Sequence, residues 1–217
     1  MVYGVAACSR IQPQPDPSAP VLTLIRNSTG MGDTTGSWFI TNPEISDFTI
    51  CHGNTCRYIS RTSLNDTEWN PVSGLFSTPA NTPAGERERV RKAVALLEAV
   101  VGEKTGTSND KAENFKGMGE SGQMDCVDES TNTSVYLILL QNAGLLHWHT
   151  VDRRASRGLL SLQPPHFTAV LREKQSSERY AVDSWFLDNG EPPYIVPLSV
   201  WKGGWKPGFG AESVTGK

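Results

Sequence analysis

The chain has 217 residues, a net charge of −3 and a sequence pI near 5.8. Acidic and basic residues are interspersed, so no basic stripe is present to attract a phosphate backbone, and nucleic acid is not an expected partner. No apolar run approaches the roughly 20 residues that span a bilayer. The length favours a single domain with one substantial core.

Residues 1–20 are predicted to be a lipoprotein-like N-terminus followed by a tether. Val5-Ala6-Ala7-Cys8 resembles the lipobox, at which bacterial lipoprotein precursors are cut before a cysteine that becomes acylated. Residues 12–20 carry four prolines and little to bury, which is typical of an extended spacer. The basic start and apolar segment of a secretory signal do not precede Cys8 in this sequence. Either the true precursor start lies upstream or has been removed, or the match is accidental.

These alternatives give different locations. A genuine lipobox predicts a lipid anchor on Cys8 at the periplasmic face of the cell envelope, with no other membrane contact. An accidental match predicts a disordered cytoplasmic tail.

Residues 21–85 are predicted to form a small strand-rich portion with loops. Short β-prone runs are broken by Gly, Asn and Pro, and they occur at residues 21–25, 38–40 and 48–50. A short helix is predicted to begin at Thr67, and residues 71–85 are predicted to be loop.

Cys51 and Cys56 bracket four residues, a spacing that a tight turn can close into a disulfide. Such bonds persist mainly in oxidising compartments, so this pairing depends on export. The alternatives are two free thiols, or a fragment of a metal site that includes His52. A second ligand pair at zinc-finger spacing, which a metal site would need, is not found.

An amphipathic helix is predicted from Glu86 to Val101, where apolar residues recur at three- and four-residue steps. Gly102 is expected to end it. The polar, glycine-containing residues 103–124 then form a long loop, which in a compact domain is either mobile or functional.

A second helix is predicted to begin at Cys126 and to extend to Asn142. Asp125 is a good N-cap and Asp128 completes a capping-box arrangement, so both carboxylates have a structural explanation. A cysteine in the first turn of a helix faces unpaired N–H groups and the positive end of the helix dipole. These favour thiolate over thiol, so a lowered pKa and a nucleophilic role are predicted for Cys126.

Residues 145–151 are predicted to form a strand that places His147 and His149 on one face. A His-x-His pair can bind zinc, with Cys126 or a carboxylate as a further ligand. The alternative, two half-exposed strand histidines, is preferred, so neither a metal nor a cofactor is predicted.

Two further strands are predicted from His166 to Glu173 and from Arg179 to Phe186, joined by a polar turn. If the hairpin tip falls between residues 175 and 176, Asp183 lies opposite Thr168 and on the same face as His166. A slip of one residue would move Asp183 to the other face. The alternatives are an ordinary strand-end histidine and an aspartate that is bonded to a turn.

The C-terminal segment 185–205 is rich in aromatic residues, glycine and proline. Its aromatic side chains either line a groove for an extended peptide or sugar, or cap the edge of the sheet. Residues 206–217 are predicted to be a flexible tail.

Three of these segments together resemble the transglutaminase-like superfamily, in particular the bacterial transglutaminase-like cysteine proteinases. They are Asp125-Cys126-Val127-Asp128 at a helix start, His166 at the start of a strand, and Tyr180-Ala181-Val182-Asp183 in the next strand. The segments Cys-Val-Asp-Glu-Ser-Thr-Asn and Val-Asp-Ser-Trp-Phe also resemble uncharacterised proteobacterial lipoproteins. The similarity spans roughly residues 86–200.

This resemblance implies an α+β, papain-like or transglutaminase-like core over residues 86–205, in which the nucleophile helix packs on an antiparallel sheet. It implies Cys126 as nucleophile, His166 as general base and then acid, and Asp183 as the residue that orients His166. The Cys126 backbone N–H and the Gln123 side chain are candidate donors to an oxyanion.

The function predicted from these residues is cysteine-dependent acyl transfer on amide bonds of a peptide-like or protein substrate in the bacterial cell envelope. Hydrolysis and transpeptidation both fit. The alternatives are a non-catalytic envelope lipoprotein that uses the fold as a binding module, and a metal-binding protein built on His147 and His149. The oligomeric state leaves no mark in the sequence.

Overall fold

The computed structural model describes residues 39–114, 120, 122–158 and 165–208. The proposed lipid-bearing Cys8, the tether and the β-prone run at 21–25 lie outside the described residues, as do residues 209–217 of the predicted tail. Within the described part of the chain, no helix has both the length and the apolar composition that crossing a bilayer requires.

The described residues form a mixed helix and sheet structure, which is compatible with the predicted α+β class. The elements are β1 (Phe48–His52), β2 (Tyr58–Thr62), α1 (Asp66–Gly74), α2 (Pro83–Thr105), α3 (Cys126–Asn142), β3 (His149–Arg157), β4 (His166–Glu173), β5 (Arg179–Asp183), β6 (Tyr194–Pro197) and α4 (Leu198–Lys202). β1 and β2 form a hairpin, and the other strands form a sheet in the order β3-β4-β5-β6. Every pair is antiparallel, as predicted.

Helix α3 is the centre of the fold. It is buried from Asp128 to Leu140 and contacts α2, β1 and the strands β3, β4 and β5. The apolar run at 135–140 lies within this buried part, and burying each large side chain there contributes roughly 1.5–3 kcal/mol. The core therefore fixes the axis of the helix whose first residue is Cys126.

Helix α2 is longer than its apolar pattern predicts. Thr82 caps its N-terminus by accepting from the Gly85 backbone N–H at 3.1 Å. The helix ends at Thr105 and is capped by Gly106, whose φ of 76° is the left-handed conformation that glycine adopts readily. The prediction that the helix ends at Gly102 was wrong. A Cβ at Gly102 would lie 2.9 Å from Asn189 Nδ2 and 3.1 Å from Ser108, so close packing explains this glycine. Gly102 is a close-packing position inside the helix.

Two predictions for the N-terminal portion are also corrected. Helix α1 continues through Pro71 to Gly74, so the predicted loop 71–85 is shorter, and Val72 is buried in the core. Asn65 and Glu68 form a capping box that starts this helix. In the run at 38–40, the described residues 39–40 are not in a strand.

The β4–β5 hairpin has the predicted register. Ala169 pairs with Val182 and Arg172 with Arg179, which places the tip between residues 175 and 176 and Asp183 opposite Thr168. Strand β5 ends at Asp183, three residues earlier than predicted, so residues 184–186 leave the sheet. On the other side of β4, strand β3 has an irregularity between Asp152 and Ala155.

Candidate active site

His166 and Asp183 are hydrogen-bonded across β4 and β5. His166 Nε2 lies 2.8 Å from Asp183 Oδ2, and both residues are buried. A carboxylate accepts, so this bond places the ring hydrogen on Nε2 and leaves Nδ1 as the acceptor of a neutral imidazole. The pairing therefore selects the tautomer that can take a proton at Nδ1.

A set of aromatic rings encloses this pair. Trp201 of α4 is fully buried and donates from Nε1 to Asp183 Oδ2 at 2.7 Å. The rings of Trp185, Phe186 and Trp201 lie 4.8, 5.3 and 5.4 Å from the imidazole. Trp205 is buried in the same cluster, so for Trp201 and Trp205 the structure favours the sheet-capping interpretation.

Cys126 begins α3 and is a free cysteine. Its Sγ lies 3.8 Å from the carbonyl oxygen of Pro165, the residue before His166. On the other side of His166, the backbone N–H of Phe167 is placed to hydrogen-bond the sulfur and favour its thiolate form. The sulfur therefore lies against the backbone on both sides of His166, and the structure brings the predicted Cys, His and Asp residues into one region.

The pKa of the Cys126 thiol does not follow the sequence-based expectation. Burial raises this pKa to about 11, and the negative charges of Asp125 and Asp183 act in the same direction. The N–H groups of Phe167 and of Cys126 itself oppose the rise without offsetting it. The expected lowered pKa was wrong, because burial outweighs the helix N-terminus. In the free protein the sulfur is a thiol at neutral pH.

The N-terminus of α3 has the predicted caps. Asp125 accepts from the backbone N–H groups of Val127 and Asp128 at 2.9 and 3.0 Å, and Asp128 reaches back to the Asp125 N–H. Burial, with the nearby charge of Asp125, raises the pKa of Asp128 to about 7.

A disulfide loop packs onto these two carboxylates. Cys51 and Cys56 form the predicted disulfide. In this loop, Asn54 N and Cys56 N donate to Asp128, and Thr55 N donates to Asp125 at 2.9 Å. Among the described residues, Cys51, Cys56 and Asp128 are the one group of three or more possible metal ligands within 4.8 Å of one another. With both sulfurs in the disulfide, that group lacks its thiolate ligands.

Gln123 holds the loop that precedes the nucleophile. Its side chain is buried, its Nε2 donates to the Asn109 carbonyl at 2.8 Å, and its Oε1 accepts from Asn114. Its own carbonyl accepts from Gly53 N at 3.0 Å. These contacts give Gln123 a structural role, and the Cys126 backbone N–H is the stronger candidate oxyanion donor.

The two histidines of the metal-binding alternative differ in environment. His147 is exposed and precedes the strand, which begins at His149. His149 is fully buried: Nδ1 lies 2.8 Å from Glu86 Oε1, and Nε2 lies 3.2 Å from Arg87 Nη1. Because both ring nitrogens of His149 are engaged, the predicted His-x-His face does not form. These residues do not fit a zinc site.

Three buried carboxyl groups lie behind the site. Asp110 accepts from Met124 N at 2.6 Å, and Glu98 accepts from Gly190 N at 3.3 Å. Burial raises the pKa of Asp110 to about 6, that of Glu98 to about 7, and that of Glu129 well above its usual value. Asp110 therefore holds the segment before Cys126 and Glu98 holds the loop at Gly190, and neither role was predicted from the sequence.

The contacts of Trp201, Phe167 and Arg154 with the site were not predicted from the sequence either. The Trp201 N–H and the Phe167 backbone N–H reach the site from elements that are distant in sequence, so no motif connects them with Cys126. Arg154 lies in the irregular part of β3 and bonds the first turns of α3. Alternation of apolar and polar residues does not reveal such a contact.

No family model, no curated protein and no solved structure matches the chain.

Proposed function

We propose that this protein is a cysteine-dependent acyl-transfer enzyme that acts on amide bonds, as a peptidase, amidase or transpeptidase, and that its core is papain-like or transglutaminase-like. Cys126 is the nucleophile, His166 is the base and then the acid, and Asp183 orients His166. The substrate is peptide-like or a protein, and no cofactor takes part.

The observation that carries this proposal is the 2.8 Å bond between His166 Nε2 and Asp183 Oδ2 beside the Cys126 sulfur. Aspartate bonded to one ring nitrogen leaves the other as a proton acceptor, which is the arrangement that general-base activation of a nucleophile needs. Trp201 supplies a second hydrogen bond to the same carboxylate oxygen and holds it in place.

The raised pKa of Cys126 determines how the first step proceeds. A thiol with a pKa of about 11 is not a ready thiolate at neutral pH, so His166 Nδ1 has to accept the proton as sulfur attacks. The S–C bond forms while the carbonyl electron pair moves to oxygen, and the Cys126 N–H is the proposed donor that stabilises that oxyanion. The tetrahedral intermediate collapses to a thioester, and His166 returns the proton to the departing amine.

A second acceptor completes the reaction. Water attacks the thioester to give a carboxylic acid, or an amine attacks it to give a new amide, and in both cases Cys126 regains its proton through His166. Hydrolysis and transfer use the same residues.

A cell-envelope location is part of the proposal. The disulfide between Cys51 and Cys56 supports it, since such bonds persist mainly in oxidising compartments. The lipobox-like segment before Cys8 supports a lipid anchor there.

The test is the rate of Cys126 alkylation by iodoacetamide between pH 5 and 9, measured on the Cys126 peptide by mass spectrometry. Because His166 Nδ1 accepts the thiol proton in the proposed first step, we expect the wild-type rate near pH 7.5 to exceed the His166→Ala rate by about 10²–10⁴-fold. The variant rate should keep rising toward the thiol pKa of about 11. A Cys126→Ser variant controls for labelling of Cys8. Equal pH profiles for wild type and His166→Ala would contradict the proposal.

A second candidate is a non-catalytic binding module with the same fold. The observation that favours it is the raised pKa of the buried thiol, which by itself makes Cys126 unreactive. This candidate predicts slow alkylation that is indifferent to His166, so the same experiment separates the two functions.

A further inference from the structure

Arg154 is a half-buried cation that lies along the first turns of the nucleophile helix. Its Nη1 donates to Thr131 Oγ1 at 2.6 Å, to Ser130 Oγ at 3.2 Å and to the Val127 carbonyl at 3.3 Å. Val127 follows Cys126 directly. One nitrogen of the guanidinium is thus bonded to the residue that follows the nucleophile in sequence.

Among the described residues, the rest of the guanidinium has no partner of opposite charge. In the described part of the chain, no carboxylate oxygen lies within 4.0 Å of Arg154, and no hydrogen bond uses its Nε or Nη2. By contrast, Arg87, which is also partly buried, pairs with Glu173 at 3.2 Å. A Cys126 thiolate and the Asp125 carboxylate are both close enough to favour the charged form of Arg154, but Cys126 is a thiol at neutral pH and both Asp125 oxygens accept backbone N–H groups.

This position is unfavourable for a cation that is only structural. Burial lowers the pKa of Arg154, because its charge is partly removed from water. A positive charge beside the first turn of a helix also opposes the helix dipole. The irregularity in β3 between Asp152 and Ala155 contains Arg154, and such bulges re-aim a side chain near functional sites.

We propose that the free edge of the Arg154 guanidinium binds a carboxylate of the substrate beside the carbonyl that Cys126 attacks. This inference rests on the proposed function and narrows its substrate. The enzyme acts on peptide-like acyl donors with a free carboxylate within about one residue of the cleaved bond, since one residue spans roughly 3.5 Å. Nε and Nη2 of arginine form the planar pair that matches a carboxylate.

Two reagents that differ only in charge test this. Iodoacetate and iodoacetamide alkylate the same sulfur, so the ratio of their rates at Cys126 cancels any change in thiol pKa and reports the recognition of a carboxylate. We expect Arg154→Met to lower the iodoacetate-to-iodoacetamide ratio about tenfold or more, as loss of a charge-assisted hydrogen-bond pair implies. Arg154→Lys keeps the positive charge and loses the planar pair of N–H donors, so its ratio should fall between those of wild type and Arg154→Met.

The matched control is Arg153→Met. Arg153 is the exposed neighbour in the same irregular segment, and its substitution removes the same formal charge. Assays at about 0.5 M salt screen long-range attraction, because the Debye length is then only a few ångströms. We expect Arg153→Met to leave the ratio within about twofold of wild type. Thermal unfolding of Arg154→Met and its iodoacetamide rate report whether the site is still folded.

The outcomes separate the two proposals. If Arg154→Met leaves the ratio unchanged while iodoacetamide alkylation still depends on His166, the carboxylate subsite is wrong and the enzyme proposal stands. If the ratio falls but alkylation is indifferent to His166, the anion site is real and the catalytic proposal is wrong.

Discussion

The backbone N–H of Cys56 donates to Asp128 Oδ1 at 2.5 Å, which ties one end of the disulfide to the capping box of the nucleophile helix. Asn54 N donates to the other oxygen of the same carboxylate at 2.7 Å. Asn54, Thr55 and Cys56 have φ values of 70°, 55° and 56°. Three consecutive non-glycine residues in this left-handed region are unfavourable by roughly 1–2 kcal/mol each. Their N–H groups converge on carboxylates, as in an anion-binding nest.

Removing the disulfide should therefore affect both stability and Cys126. We expect the double variant Cys51→Ser/Cys56→Ser to lose about 2 kcal/mol of unfolding free energy, since the disulfide closes a short loop. Without it the left-handed turn relaxes and α3 shifts at its first residue, so iodoacetamide alkylation of Cys126 should slow by about tenfold to a hundredfold. Urea unfolding and the alkylation assay measure the two effects. Unchanged alkylation in a folded double variant would show that the loop does not position Cys126.

Substitutions of Asp183 and Trp201 should slow alkylation of Cys126 by different amounts. Asp183→Asn removes the acceptor that fixes the His166 tautomer, and we expect it to slow alkylation near neutral pH by about 10²–10⁴-fold. Trp201→Phe keeps a ring in place and removes only the N–H bonded to Asp183, so the expected loss is several-fold.

Trp205→Phe is the control for the ring substitution. Trp205 packs in the same buried cluster, and its side chain makes no hydrogen bond to Asp183. Its substitution should leave the alkylation rate within about twofold of wild type. If Trp201→Phe and Trp205→Phe had equal effects, the Trp201 hydrogen bond would have no separate role.

The sequence predicted what depends on local rules. Pairing across a hairpin follows from the position of its tip, so the register that sets Asp183 beside His166 was available from the residues alone. The caps at Asp125 and Asp128 follow from spacing along one helix. The predicted direction of the Cys126 pKa shift was wrong, because burial raises this pKa and results from tertiary packing that the position in the helix does not encode.

Contacts between distant segments explain the other differences. Gly102 looks like a helix end until Asn189 and Ser108 are seen to pack against it. His149 looks like half of a metal pair until Glu86, 63 residues earlier, is seen to hold it. In both cases the deciding neighbour is absent from the local pattern.

Glu86 is expected to be a stability residue. Its buried carboxylate accepts from the backbone N–H groups of His147, Trp148 and His149 and bonds His149 Nδ1. Burial alone would raise its pKa, but His149 and the N–H groups outweigh burial and lower it. The stability that ionised Glu86 contributes is fully present above its unfolded pKa near 4.5. It is lost as the pH falls through the lower pKa that Glu86 has in the folded protein.

Replacing Glu86 tests this connection between α2 and the start of β3. We expect Glu86→Gln to lose about 2–3 kcal/mol of unfolding free energy at pH 7, because buried donors lose a charged acceptor. Glu88→Gln, whose exposed side chain pairs with Arg91, should lose less than about 0.5 kcal/mol. Urea unfolding at pH 7 compares the variants. Similar losses for the two would contradict the role of Glu86.

The buried carboxyl group of Glu98 predicts how stability changes with pH. Its pKa is about 7 in the folded protein because burial disfavours the charge, and one of its oxygens has no hydrogen-bond partner among the described residues. The unfolded chain releases this proton near pH 4.5, its ordinary value. Between these two values the folded state binds more protons than the unfolded state, so stability is greatest at the acidic end and falls as the pH rises.

Thermal unfolding between pH 5 and 8 measures this dependence. Glu98 alone contributes a slope of at most about 1.4 kcal/mol per pH unit, and the raised pKa values of Asp110 and Glu129 add slopes of the same sign. Glu98→Gln keeps the shape and removes the titration, so its midpoint should fall less steeply than that of wild type. Glu103→Gln, an exposed substitution on the same helix, should leave the slope unchanged. Parallel curves for Glu98→Gln and wild type would mean that Glu98 is already ionised in the folded protein at pH 5.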